Sequence, residues 1–458
     1  MCTISSSRAR SWLALAGLLC AAPIAAQQLH VAATVDTLPN GLTLIVHEDH
    51  STPVVAVNVW YHVGSGDEKP GRTGFAHLFE HLMFMGSEHA PYPEFDRRLE
   101  AAGAGNNGTT SEDRTEYYEA GPANALPLML WLEADRMGWM LPTMDSAKVA
   151  LQRDVVKNER RQRIENAPYG KAWDLLPGML FPKGHPYSWP VIGSMTDLSA
   201  ASLEDVKDFF RRYYAPDNAS IVVAGDVKTA EVQALVRKYF GAIPRGPGVV
   251  RPGPSPVTLT KDSTAVLEDR VQLPRLYLSW PTVDVLHADD PALNVAAYVL
   301  AGAKNARLTQ PIVYEEQLAS EVMAWQDGGR LAGMFGVLAT ARPGHDLAEL
   351  QGRIDAILRR LADDGPTAAE LTQARTALEA RFYRGAEMVA DKADLLNEFY
   401  AEYGVPDAFQ KDLDRLRAVT AADVQRVVKA RLLAPRAMIS VVPTGKTEMA
   451  ARVKGQQP

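Results

Sequence analysis

The chain has 458 residues, of which 47% are hydrophobic and 22% charged, proportions that exclude both a disordered polymer and a membrane-helix bundle. This length exceeds what one hydrophobic core sustains and suits two domains. A formal charge of −7 with no basic block excludes nucleic acid as a partner.

The first 26 residues carry Arg8 and Arg10, an apolar run from Trp12 to Ala22, and small residues ending at Ala25 and Ala26. This is the pattern of a cleaved secretory signal, and the run is too short to span a bilayer. Removing it deletes those two arginines and no acid, moving the charge from −7 to −9. The expected location is the periplasm, with no integral membrane segment after cleavage. Both cysteines, Cys2 and Cys20, lie in this segment. The mature chain therefore forms no disulfide, and any metal must be held by nitrogen and oxygen.

Next come two strand-like stretches, "LTLIVHED" (42–49) and "PVVAVNVWYHVGSG" (53–66), rich in β-branched residues and bounded by Gly, Pro or Asn. The helical period then runs from Leu78 to Met85 and again from Ala147 to Ile164. The first helix carries "HLFEH", His77 to His81, among the apolar residues Phe75, Leu78, Phe79, Leu82 and Phe84. On a helix, positions four apart share a face, so both imidazoles can reach one ion. Glu80 lies at the edge of that face. Zinc accepts imidazole nitrogen and, in catalytic sites, takes three protein ligands and a water. The ion acidifies that water, and a carboxylate takes its proton. The usual zinc-protease motif places its glutamate beside the first histidine; here it neighbours the second, which changes only the direction in which the helix passes the ion.

A third ligand must come from elsewhere. In "QRDVVKNERRQR" (152–163), Glu159 follows Val155 and Val156, read as inward positions, while Arg160, Arg161 and Arg163 are read as outward. Glu159 is the candidate, with an ordinary ion pair to a neighbouring arginine as the alternative. Among the remaining polar residues, His62 reads as structural and His89 as solvated. "RRQRIEN" reads as a solvated face, and "HPYSWPVIGS" (185–194) as a shaped loop near a substrate.

Residues 244–256, "PRGPGVVRPGPSP", hold five prolines and three glycines and read as a semi-rigid linker. The flanking halves echo each other. Residues 203–227 and 421–445 share a helix, an Ala-Pro break and a β-branched strand ending at glycine. Residues 146–161 echo 368–383 at a similar offset. A duplicated α+β architecture follows, each half a mainly antiparallel sheet packed by helices. The expected boundaries are a signal at 1–26, an N-terminal domain at 27–244, a linker at 245–256, a C-terminal domain at 257–450 and a tail at 451–458. The echo sets Arg381 opposite Glu159, and the segment opposite HLFEH, near "ALNVAAYVL", has no histidine or glutamate. Arginine cannot ligate zinc, so only the first half carries the chemistry.

Together with their flanks "VGSGDEKPGRTGFAHLFEHLMFMGS", "NNGTTSEDRTEYY", "VVKNERRQR" and "HPYSWPVIGS", these motifs resemble the pitrilysin/insulin-degrading family of H-x-x-E-H zinc peptidases, which includes the catalytic subunit of the mitochondrial processing peptidase. The resemblance covers nearly the whole mature chain. It implies a secreted zinc metalloendopeptidase acting on peptides or unfolded segments, with one zinc per chain. His77, His81 and Glu159 would be its ligands and Glu80 the general base. It also implies an edge strand at "GNNGTTSEDRTEYY" that accepts substrate as a further strand, with Asn107 and Thr110 as substrate-binding residues, and an inert second half closing a chamber. Some relatives carry a second glutamate where this chain has Gln152. The alternative is a non-catalytic or partner-dependent subunit, and the possible assemblies are a homodimer or a heterodimer with an inactive homologue. Manganese or cobalt would be accepted by similar ligands.

Overall fold

The computed structural model describes residues 30–451; the expected signal segment and most of the expected tail lie outside this range. Eleven strands among the described residues form two sheets. The first half supplies β1 (Thr34–Thr37), β2 (Thr43–Glu48), β3 (Val54–Tyr61), β4 (Gly105–Thr110), β5 (Thr115–Pro122) and β6 (Ala219–Gly225). The second supplies β7 (Ser263–Asp269), β8 (Arg275–Thr282), β9 (Ala319–Gly328), β10 (Gly333–Ala341) and β11 (Ala437–Pro443). Their orders are β1-β2-β6-β3-β5-β4 and β7-β11-β8-β10-β9. Apart from β1 the two plans are identical. In each, the last strand in sequence runs parallel to the first and antiparallel to the second. The fold is α+β, with two duplicated, mostly antiparallel sheets packed by helices.

Strand β3 explains how the sheets are covered. Its sequence VVAVNVWY is apolar almost throughout because both faces are buried. Val55, Val57, Val59 and Tyr61 enter the core formed with the first half's own helices. On the opposite face, Ala56, Val222, Ala224 and Ile45 pack with Ala393, Leu396 and Phe399, which lie on the helix Val389–Tyr403 of the second half. A buried amide fastens this contact: Asn397, fully buried, donates to the Asn58 carbonyl and side chain and accepts from Ser220 Oγ.

The exchange is mutual. Helix Gly170–Leu180 of the first half lays Ala172, Leu176 and Leu180 against Tyr277, Leu338, Ile439 and Val441 of the second sheet. The expected linker has no regular secondary structure, and it is tied down where Gly246 N–H meets Asp217 and Ser255 N–H meets the Leu331 carbonyl. The two sheets lie on either side of this segment in sequence. Each nevertheless depends on a helix from the other half, so neither half is closed by itself.

Candidate metal centre

Helix Phe75–Leu82 carries both histidines. Its first turn is held by Glu68, whose carboxylate accepts from Gly74 N–H at 3.0 Å and Ala76 N–H at 2.8 Å, satisfying donors that a helix start leaves open. Gly74 enters with φ +87°, and a Cβ there would lie 2.7 Å from the Ile192 carbonyl; only glycine meets both demands. Phe75, Leu78, Phe79 and Leu82 are buried below. This fixes the rotation of the helix and turns His77 and His81 the other way, their ring centroids 4.9 Å apart.

The second helix, Ser146–Arg160, is capped by Asp145, which accepts from Lys148 N–H at 2.8 Å. It delivers Glu159 to the pair. One carboxylate oxygen, Oε2, sits 3.2 Å from His81 Nε2 and 3.6 Å from His77 Nε2. The other lies 2.7 Å from the exposed Arg163 guanidinium. Sequence reading offered a metal contact or an arginine pair for this glutamate; the geometry turns one oxygen toward the two imidazoles and the other toward Arg163. Two expectations about its flanks are corrected. Val155 is 39% exposed, so Val156 alone is the inward anchor. Arg160 is buried and grips Asp174 and the Gly193 carbonyl, because the next helix folds back over the end of this one. Arg161 and Arg163 do face outward.

Glu80 stands beside the cluster and accepts from Thr110 Oγ1 at 2.5 Å. Thr110 ends β4, the terminal strand of its sheet. Asn107 lies on the same strand, but the alternation of strand faces puts its side chain opposite that of Thr110, and its Oδ1 accepts from Gly108 N–H. The structure therefore brings Thr110, and not the Asn107 side chain, to Glu80. Gln152 projects from the Glu159 helix to Met85 Sδ.

Burial governs the electrostatics. It pushes the His77 ring down to about 4, which keeps the imidazole neutral with a lone pair to offer. It pushes the Glu80 carboxyl up, against the Thr110 hydrogen bond. Glu159 is held below the usual carboxylate range, first by its contact with His81. One potential ligand atom from each of His77, His81 and Glu159 lies within 4.8 Å of the others. Two imidazole nitrogens and one carboxylate oxygen are a donor set suited to a zinc-type dication. The residues fit such an ion.

Elsewhere, His62 matches its structural reading: it is pushed down to about 4 by burial and contacts Ser220. His89 is exposed as expected, yet its Nδ1 lies 2.6 Å from the buried Asp135, so it is an ion-pair partner and not merely solvated. A cavity of about 810 Å³ lies between the halves, lined by Trp60, Glu112, Asp327, Asp394, Glu398 and Glu402 among others. Sequence reading missed the Glu68 cap, although an acid shortly before a helix start was a usable signal.

Two family models match the chain: insulinase (peptidase family M16) over residues 43–174, and the peptidase M16 inactive domain over residues 200–378. The zinc protease PqqE of Helicobacter pylori is 31% identical over 397 residues, 86% of this chain and 88% of that protein. A probable mitochondrial-processing peptidase subunit beta of Arabidopsis thaliana is 25% identical, covering 88% of this chain and 78% of its own. The crystal structure of a protease from Helicobacter pylori superposes with a TM-score of 0.84 at 28% identity, covering 91% of this chain and all of that one. With an M16 model on its metal-site half, an inactive-domain model reaching far into the other, and a 31% identical zinc protease along most of its length, this chain belongs to the M16 insulinase family of peptidases.

Proposed function

We propose that this chain is a secreted, periplasmic zinc metalloendopeptidase that cleaves peptides or unfolded segments, with one zinc held by His77, His81 and Glu159. The observation that carries the reading is the convergence of those three side chains, from two helices far apart in sequence, with Glu80 beside them. A bound zinc would supply Lewis acidity, polarising the scissile carbonyl and making water a competent nucleophile at neutral pH.

The rest of the chemistry belongs to the chain. Glu80, raised in proton affinity by burial, takes a proton from the attacking water and returns it to the departing amine. The Thr110 hydroxyl holds Glu80 Oε2, so the base cannot swing away from the reacting atoms. The outer edge of β4 offers backbone groups to an extended peptide, a mode of binding that tolerates many side chains. The inter-half cavity is lined by the tip of the β4–β5 hairpin, Ser111 to Arg114, and by second-half residues, which brings the second half up to the end of that strand.

The test is Glu80→Gln. It should retain the metal while cleavage of a quenched peptide falls by about 10²–10⁴-fold, the usual worth of a general base. A normal rate in this variant would remove Glu80 from the mechanism. Particle size, measured on the same sample, separates a chain active alone from one that needs a partner. Recovery of the mature protein in the periplasmic fraction tests the location.

A further inference from the structure

The tip of the β4–β5 hairpin, Ser111 to Arg114, is clamped from two sides. On the first-half side, Ser65 N–H donates to the Ser111 carbonyl at 3.1 Å and Gly66 N–H to the Glu112 carbonyl at 2.8 Å. The approach is so close that a Cβ on Gly64 would lie 2.4 Å from the Glu112 backbone. On the other side stands the β9–β10 turn of the second half. The Asp113 carboxylate accepts from Arg330 N–H at 2.9 Å and from the Tyr187 hydroxyl, and the Arg330 guanidinium lies 3.4 Å away. The Tyr187 oxygen in turn accepts from Leu331 N–H at 3.1 Å. Tyr187 belongs to the first-half loop "HPYSWPVIGS" and is itself buried against Phe181 and His185. A Cβ on Gly329 would lie 2.8 Å from the Tyr187 oxygen, so the turn needs glycine to come this close.

We propose that Asp113 and Tyr187 are positioning residues, a latch by which the second half fixes the substrate-accepting edge strand beside Glu80. Asp113 lies three residues from Thr110, whose hydroxyl holds Glu80. The latch therefore bears on the peptide-accepting strand one short length of hairpin away, while Glu80 keeps its own hydrogen bond to Thr110. An edge strand is intrinsically loose on its unpaired side, and β4, with the sequence GNNGTT, has little side-chain packing of its own to stiffen it. Anchoring its tip removes motion that a peptide would otherwise have to remove on binding. The second half thereby takes part in substrate binding without carrying a catalytic group. The inference rests on the proposed role of β4, and its test has one arm that does not.

Tyr187→Phe deletes only the hydroxyl and keeps the packed ring; Asp113→Asn keeps the shape and removes the charge. In amide hydrogen exchange of the metal-loaded full chain, both variants should speed exchange of residues 105–110 by about 10-fold, the equivalent of one lost charge-assisted hydrogen bond. Unchanged exchange there overturns the latch whether or not the protein cleaves peptides. In the peptide assay, KM should rise by about 10-fold with kcat held within about 2-fold, because the loss falls on binding and not on the chemical step. The double variant should be no worse than either single one, since both break the same link. A fall in kcat at constant KM, or additive effects in the double variant, would also overturn it. An inactive wild type would sink the peptidase reading and leave the exchange arm to decide the latch.

Discussion

Glu159→Gln separates the two contacts that this carboxylate makes. The substitution preserves volume and leaves both imidazoles in place, but it removes the negative charge 3.2 Å and 3.6 Å from their Nε2 atoms. Loss of a residue that merely supports a metal ligand costs about 10–100-fold in affinity, so loss of the ligand itself should cost at least ~100-fold, or about 2.7 kcal/mol. The cost should reappear in stability by linkage. At a zinc concentration 100 times the wild-type dissociation constant, the metal stabilises the wild-type fold by about 2.7 kcal/mol. A variant weakened 100-fold would keep only about 0.4 kcal/mol at the same concentration. The other contact, to Arg163, involves a guanidinium that is 74% exposed, and such pairs are worth ~0–1 kcal/mol. Without metal, the substitution removes this pair and the contact with His81, so the gap between wild type and variant should be much smaller than the one seen with zinc. The assay is thermal unfolding with and without added zinc, plus metal content after dialysis against a mild chelator. Full occupancy after dialysis, together with an undiminished zinc-induced shift, would show that the arginine pair is the whole role of Glu159.

Other outcomes follow from the exchange of helices and from the cavity. Leu396 is fully buried against the first-half sheet although it belongs to the second half; Leu396→Ala should cost about 2–5 kcal/mol and lower one transition shared by tryptophan fluorescence and far-UV circular dichroism. Two separate transitions, with only the second-half transition affected, would contradict the interdependence of the halves. Glu402 lines the cavity and is pushed up to about 8 from 4.5, first by burial and then by the charges of Glu398 and Asp412. A folded-state value above the unfolded one means that the stability contribution is complete below about 4.5 and is lost as pH rises through about 8. Glu402→Gln should thus leave the melting temperature nearly unchanged at low pH and raise it above wild type on the alkaline side of that window; a difference independent of pH would refute the assignment.

The helix of the candidate site was legible in the sequence. His77, Glu80 and His81 are one helical turn of information, and a helix places residues four apart on one face regardless of what surrounds it. The duplication was also legible, since β6 and β11 follow the same helix-break-strand text and occupy the same place in their sheets. Glu159 was legible only as a candidate. Its helix meets different neighbours along its length, so Val155 is partly exposed and Arg160 buried, the reverse of what a single inward stripe implies.

What the sequence could not contain was the partner of each surface. The amphipathic helix Val389–Tyr403 shows an apolar face but not that the face belongs on the other half's sheet. Asp113, Tyr187 and Arg330 are ordinary polar residues until the fold brings three distant segments within hydrogen-bond reach. Periodicity is fixed by backbone geometry and is read one residue after another. Which faces meet depends on burying all the apolar surface at once, and only the tertiary structure settles that.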